Sequence, residues 1–268
     1  MWRGEAICSE RHCEQKCSKR RHLKTGLSRH STHIARAMAS QTATTQRRIL
    51  FVGNSLTSYR AGSLDACFRE WGFDAHAHIK YGATLAEIWS EGGWEQRLND
   101  GQYEIVAIQD DLPEYSNLPN KEEHWRELYK PFIGAVKKFV RAIKNAGATP
   151  ILFMAHPYCR LPKTQLEDIV RCHRKAAEEL EVACAPGAIA HHIATTKAME
   201  QIEWSLQLLE PDREHPSVEG NYLHACTVAV SLGNTEALEW APDVLEPELA
   251  AWLREVAVEA VKEWQEAG

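Results

Sequence analysis

From Arg48 onward, apolar and polar positions alternate between two patterns. Ile49-Leu50-Phe51-Val52 is a continuous apolar run closed by Gly53, the mark of a strand buried on both faces. A helix is predicted over about Ser63 to Trp71, a strand over Asp74 to Ile79, and weaker helical turns between Thr84 and Leu98. Glu104 to Ile108 reads as a third strand. Over Glu122 to Asn145 the apolar positions Leu128, Phe132, Ile133, Val136, Phe139, Val140 and Ile143 recur at helical spacing, and Gly147 suits the C-terminal cap. Pro150 to Ala155 follows as a strand, Thr164 to Leu180 as a helix, and Val182 to Ala185 as a short fifth strand. Helices are expected near Ala188–Met199, Val218–Leu232 and Pro247–Trp264.

Strands that are apolar throughout and alternate with helices imply a parallel sheet covered on both faces. In such folds the reactive groups sit in loops leaving the carboxyl ends of the strands. The loops to inspect therefore begin at Gly53, Tyr81, Gln109 and His156, together with the segment before Val218.

Charge divides the chain. Residues 1–48 carry 11 Lys/Arg against 3 Asp/Glu, and the remaining 220 carry 20 against 34, so a basic head precedes an acidic body within a net −6. An acidic body argues against a nucleic-acid partner, which would require a positive face. The apolar runs are strand-sized, too short to span a bilayer, so no membrane partner is expected, and the N-terminus has no apolar export segment. Cys67, Cys159, Cys172, Cys184 and Cys226 are scattered singly through the body, which fits reduced, packed thiols in a cytoplasmic protein.

Residues 1–46 are expected to be an extension and 47–268 the folded domain. The head offers Cys8, Cys13, Cys17 and His22 as zinc ligands, but their spacing differs from paired structural sites. Its basic, acid-poor composition also suits a transit peptide or a nucleic-acid tail. The simplest alternative is a disordered or untranslated leader, with the biological start at Met38.

Two segments carry chemistry. Gly53-Asn54-Ser55-Leu56-Thr57 forms the first strand-to-helix turn, where a serine hydroxyl and outward backbone N–H groups suit a nucleophile and an oxyanion site. Ser55 as a plain helix cap fits the same residues. The segment Pro211-Asp212-Arg213-Glu214-His215-Pro216-Ser217 sets an Asp three residues before a His. That spacing lets a carboxylate hold the imidazole tautomer needed by a general base.

Together the first block, Ile49 to Thr57, and Asp212-x-x-His215-Pro216-Ser217-x-x-Gly220-x-Tyr222-Leu223 resemble the SGNH (GDSL-type) hydrolase superfamily, in its Gly-Asn-Ser branch. The resemblance covers about residues 48–235. It implies a flavodoxin-like three-layer α/β/α sandwich, here with a five-stranded parallel sheet, and an esterase or acyl hydrolase that needs no cofactor or metal. Carried over, Ser55 matches the nucleophile, His215 the base and Asp212 its partner, while Gly82 matches the backbone oxyanion donor. The third block departs from the family's Gly-x-Asn-Asp, reading Ile108-Gln109-Asp110-Asp111. The Gln109 amide is the expected substitute donor, since an ionised Asp111 has none to offer. Asn54 and His156 are expected to line the substrate site.

The reaction the resemblance implies is hydrolysis of a small-molecule ester with a small acyl group, such as an acetyl on a carbohydrate. The alternatives are a non-catalytic binding protein of the same fold and a zinc or nucleic-acid role for the head. Adjacent helical residues His191 and His192 point apart and make a poor metal pair. Trp89 and Trp94 are candidates for stacking on a sugar, although packing explains them more simply.

Overall fold

The computed structural model describes residues 46–60, 62–112, 124–157, 164–200, 206–235 and 238–267. Residues 1–45, with the candidate zinc ligands of the head, lie outside the described residues, as does Cys159. Strands β1 (Arg48–Gly53), β4 (Asp74–Ile79), β5 (Ile105–Ile108), β6 (Thr149–Phe153) and β7 (Ala183–Ala185) form one sheet. All pairings are parallel, and the spatial order is β4-β1-β5-β6-β7. Between β1 and β4 lies a short antiparallel hairpin, β2 (Ser58–Tyr59) and β3 (Gly62–Ser63). Its two-residue strands are too short to leave a periodic signal in the sequence.

The helices are α1 (Leu64–Glu70), α2 (Leu85–Glu91), α3 (Trp94–Gly101), α4 (His124–Asn145), α5 (Thr164–Leu180), α6 (Gly187–Glu200), α7 (Val218–Ser231) and α8 (Pro247–Glu266). Helices α2, α4 and α5 pack together in one layer, and α1, α6, α7 and α8 in the other. The result is the three-layer α/β/α sandwich implied by the sequence. Ile49 to Val52 and Ile105 to Ile108 are buried because both faces of the sheet are covered. The seven apolar positions of α4 are all buried too. Its end is a Schellman cap: Gly147 takes φ +81°, Gly147 N–H donates to the Lys144 carbonyl (3.0 Å) and Ala148 N–H to that of Ile143 (3.1 Å).

Trp94 is fully buried, its ring 4.3 Å from Phe139 and 5.2 Å from Trp89, so this indole is core. Cys67, Cys172, Cys184 and Cys226 are buried free thiols. Burial pushes Cys67 and Cys172 up to about 12, which leaves no thiolate for chemistry at neutral pH. Among the described residues no helix is long and apolar enough to cross a membrane.

The chain lays β4 on one side of β1 and β5 on the other, so the winding direction reverses there. The carboxyl ends come abreast, with Gly53 beside Ile79 and Val52 beside Ile108. A crevice opens at such a switch point, outside the strand ends.

Candidate active site

The floor of the crevice is the turn after β1. Asn54 closes it twice: its carbonyl accepts from Thr57 N–H (3.0 Å), and its side-chain Oδ1 accepts from Leu56 N–H (2.9 Å). Gly53 is required here by close approach. A Cβ on it would lie 2.6 Å from Thr57 Oγ1 and 2.7 Å from Gln109 Oε1. Ser55 stands at the apex, 7% exposed.

The opposite wall is the segment before α7. Leu209 and Pro216 form an antiparallel bridge, and Glu210 N–H donates to the His215 carbonyl (2.8 Å). Ser217 caps α7, accepting from Gly220 N–H at 3.1 Å. Within this clip Asp212 Oδ1 accepts from the backbone N–H of Glu214 (2.9 Å) and of His215 (3.0 Å), while Oδ2 accepts from His215 Nδ1–H (2.8 Å). With Nδ1 carrying the proton, His215 Nε2 is an acceptor, and Ser55 Oγ lies 3.0 Å from it. Partial burial disfavours the Asp212 charge, but these donors outweigh it and hold the carboxyl at about 2. Residues 160 positions apart thus form a continuous hydroxyl–imidazole–carboxylate chain. Such a chain can remove a proton from the hydroxyl as it attacks an electrophile.

The remaining expected residues are placed unequally. Gly82 lies in the turn after β4 at φ +65°. That turn is tied to the floor through Lys80 N–H to the Gly53 carbonyl (3.0 Å) and Asn54 Nδ2 to the Ala83 carbonyl (3.1 Å). The backbone N–H groups of Ser55 and Gly82 donate to no acceptor among the described residues, leaving them available to a ligand.

Gln109 is a correction. Its Oε1 accepts from Asn54 N–H (3.0 Å) and from the Thr57 hydroxyl (2.9 Å), and its Nε2 donates to the Asp110 carbonyl (2.8 Å). Two donors face the amide oxygen, which fixes its orientation and engages the NH₂ with the Asp110 carbonyl. Gln109 therefore braces the floor. Asn54 is likewise fully buried, with Nδ2 also donating to Asp111 Oδ2 (2.9 Å), so it joins the loops after β1, β4 and β5 without facing a substrate. His156 is fully buried as well. Its Nε2 donates to the Glu214 carbonyl at 2.8 Å, which pins the clip from beneath.

Sequence reasoning missed three further features. Asp110 is buried; its Oδ1 accepts from Leu85 N–H (2.7 Å) and Asp111 N–H (2.9 Å), while Oδ2 has no partner among the described residues. Burial raises its carboxyl to about 7 against those two hydrogen bonds. His156 also stacks near His191 (5.0 Å) and His224 (5.2 Å). Burial lowers His156 to about 4, and the other two lie well below their usual range. The near-parallel ring planes, 14° and 22° apart, do not aim their lone pairs at one point. Among the described residues no group of three ligating side chains could hold a metal ion. Lastly, Tyr59 lies against His215, a contact that no local motif announces.

No protein-family model and no curated protein matches this chain. Solved structures do match. A protein described as an SGNH hydrolase from Slackia heliotrinireducens superposes with a TM-score of 0.53 at 22% identity, over 70% of this chain and 100% of that one. A catalytic mutant of Axe2, an acetylxylan esterase from Geobacillus stearothermophilus, superposes with a TM-score of 0.50 at 16% identity, over 70% of this chain and 94% of that one. The chain thus has the fold of the SGNH hydrolases.

Proposed function

We propose that this chain is a serine esterase of the SGNH type acting on a small acyl ester. The observation that carries the proposal is the unbroken series Ser55 Oγ–His215 Nε2 at 3.0 Å and His215 Nδ1–Asp212 Oδ2 at 2.8 Å. Fold alone would not suffice, since one fold hosts many functions.

Ser55 Oγ attacks the ester carbonyl carbon while His215 Nε2 takes its proton. Asp212 keeps the imidazole in the right tautomer and stabilises the imidazolium. The backbone N–H groups of Ser55 and Gly82 receive the oxyanion. The proton then passes to the leaving alkoxide, and water, activated by the same imidazole, releases the acid. An acetyl ester on a carbohydrate is the favoured substrate, in keeping with the acetylxylan esterase Axe2 among the structural neighbours.

One observation favours the non-catalytic alternative: the Gln109 amide, engaged with Asn54, Thr57 and Asp110, is taken from the oxyanion donors of the family pattern. Losing such a donor costs about 10²–10³ in rate, which slows chemistry without abolishing it. Hydrolysis of p-nitrophenyl acetate by wild type and Ser55→Ala decides the matter. The esterase proposal expects wild type to exceed the variant by at least about 10³-fold; equal slow rates would leave a binding protein.

A further inference from the structure

Tyr59 is a side chain beside the triad to which the mechanism gives no role. Its ring lies flat on the His215 imidazole, with centroids 3.7 Å apart and planes 11° apart. Two uncharged aromatic rings prefer offset or edge-on packing to a close face-on stack. A cation over a ring face is instead drawn in by the ring quadrupole. The geometry therefore suits the charged imidazole better than the neutral one.

The ring is held in place by the frame that holds His215. Tyr59 sits on the β2–β3 hairpin, and a Cβ on Gly62 across from it would lie 3.5 Å from the Asn221 side chain. Asn221, buried on α7, donates through Nδ2 to the carbonyls of Pro216 (3.2 Å) and Ser217 (3.0 Å), the two residues after His215. Tyr81 adds an edge-on contact to Tyr59 at 6.1 Å. Among the described residues the charged or titratable groups around the stack include Tyr81, Asp212 on the clip, Arg60 at 5.6 Å from the Tyr59 centroid, and buried His156 beneath Glu214.

We propose that Tyr59 is a positioning residue of the triad: its face keeps the imidazole in the plane shared by Asp212 and Ser55 and stabilises the imidazolium formed as Ser55 attacks. This rests on the serine-esterase proposal. Tyr59 exchanges no atom. The Ser55 proton moves to His215 Nε2 as the Oγ–carbon bond forms and the carbonyl electron pair moves to oxygen, then onward to the leaving alkoxide as its bond to carbon breaks. Because the attraction grows only when the ring becomes charged, it acts on kcat and leaves KM alone.

The test compares kcat, KM and the pH profile of p-nitrophenyl acetate hydrolysis in wild type, Ser55→Ala, Tyr59→Phe and Tyr59→Leu, with thermal melts as a check on folding. Tyr59→Phe, which keeps the face, is expected within about twofold of wild type. Tyr59→Leu is expected to lose about tenfold in kcat at unchanged KM, with the acid limb of its profile moved to lower pH. Tyr59→Met gives the same comparison should the Leu variant not fold. Wild-type kcat and an unmoved acid limb in the Leu or Met variant overturn the role of Tyr59 alone, as does an equal loss in the Phe variant. A wild type no faster than Ser55→Ala overturns the esterase proposal and this one together.

Discussion

The two walls of the crevice are built by different means. The Ser55 side is a buried knot: Gly53, Asn54, Thr57, Ala83, Gln109 and Asp111 interlock through hydrogen bonds between loops that follow three adjacent strands. The His215 side is an open clip with local turns, one bridge and a strut from His156, and the Asp212 side chain is 43% exposed. Burial makes the first wall expensive to alter, because each orphaned donor loses its water as well as its partner. The second wall is cheaper to alter thermodynamically, yet it carries the imidazole that becomes charged in the proposed reaction. On the first wall stability and the proposed chemistry are tied together, whereas on the second they separate, so substitutions on the two sides should report different quantities.

The largest effect belongs to the clip. Asp212→Asn preserves shape and keeps an oxygen for the backbone N–H groups of Glu214 and His215, but its amide cannot accept the Nδ1–H. The imidazole then reverses its tautomer, and the expected loss in kcat is about 10⁴-fold. Urea denaturation should show a stability change of no more than about 1–2 kcal/mol, since the side chain is 43% exposed and the amide keeps the two backbone hydrogen bonds. A loss of stability matching the loss of rate would erase the contrast between the walls.

Gly53→Ala tests the knot. The new methyl meets Thr57 Oγ1 and Gln109 Oε1 at separations that no Cβ tolerates, so the turn must shift. Overpacking of this kind costs about 1–3 kcal/mol, and displacement of Ser55 by about 1 Å costs on the order of 10²-fold in rate. Here rate and stability fall together, seen as parallel drops in kcat/KM and in the urea midpoint. A fully active, fully stable variant would show that the floor is not tightly packed.

How much of this was legible in the sequence depends on the range of the interactions. Asp74–Ile79 and Thr164–Leu180 match their predicted bounds because apolar runs and helical periods are local signals. Ser55 and the Asp212–His215 spacing were visible as short motifs, whereas their 3.0 Å approach across 160 positions exists only through the strand order. Gln109 misled for a chemical reason. An amide carries both donor and acceptor, and which end faces the crevice was decided by Asn54 N–H and the Thr57 hydroxyl, neither readable from residue type. Tyr59 gave no signal at all, since a two-residue strand has no period and the stack on His215 is purely tertiary.

Gln109→Leu follows from that correction. It removes the acceptor used by two buried donors, with an expected loss of about 2–4 kcal/mol by urea denaturation. If the variant instead keeps its stability while kcat alone drops about 10²–10³-fold, Gln109 is an oxyanion donor after all.

The smallest effect concerns the strut under the clip. His156 is held neutral in the fold, with burial lowering it to about 4 from an ordinary 6.5. Between those values the unfolded chain binds a proton that the folded chain does not, so stability rises with pH there and is lost as pH falls from 6.5 towards 4. One such group contributes a slope of up to about 1.4 kcal/mol per pH unit across that window, and His191 and His224 act in the same direction. In His156→Gln the side-chain N–H₂ can still donate to the Glu214 carbonyl, but it takes up no proton. The urea stability of this variant, measured from pH 7 to pH 4.5, should fall less steeply than that of wild type by about one proton's worth of slope. An unchanged slope would mean that the imidazole is already charged in the folded protein, and its hydrogen bond to the clip would then survive acid.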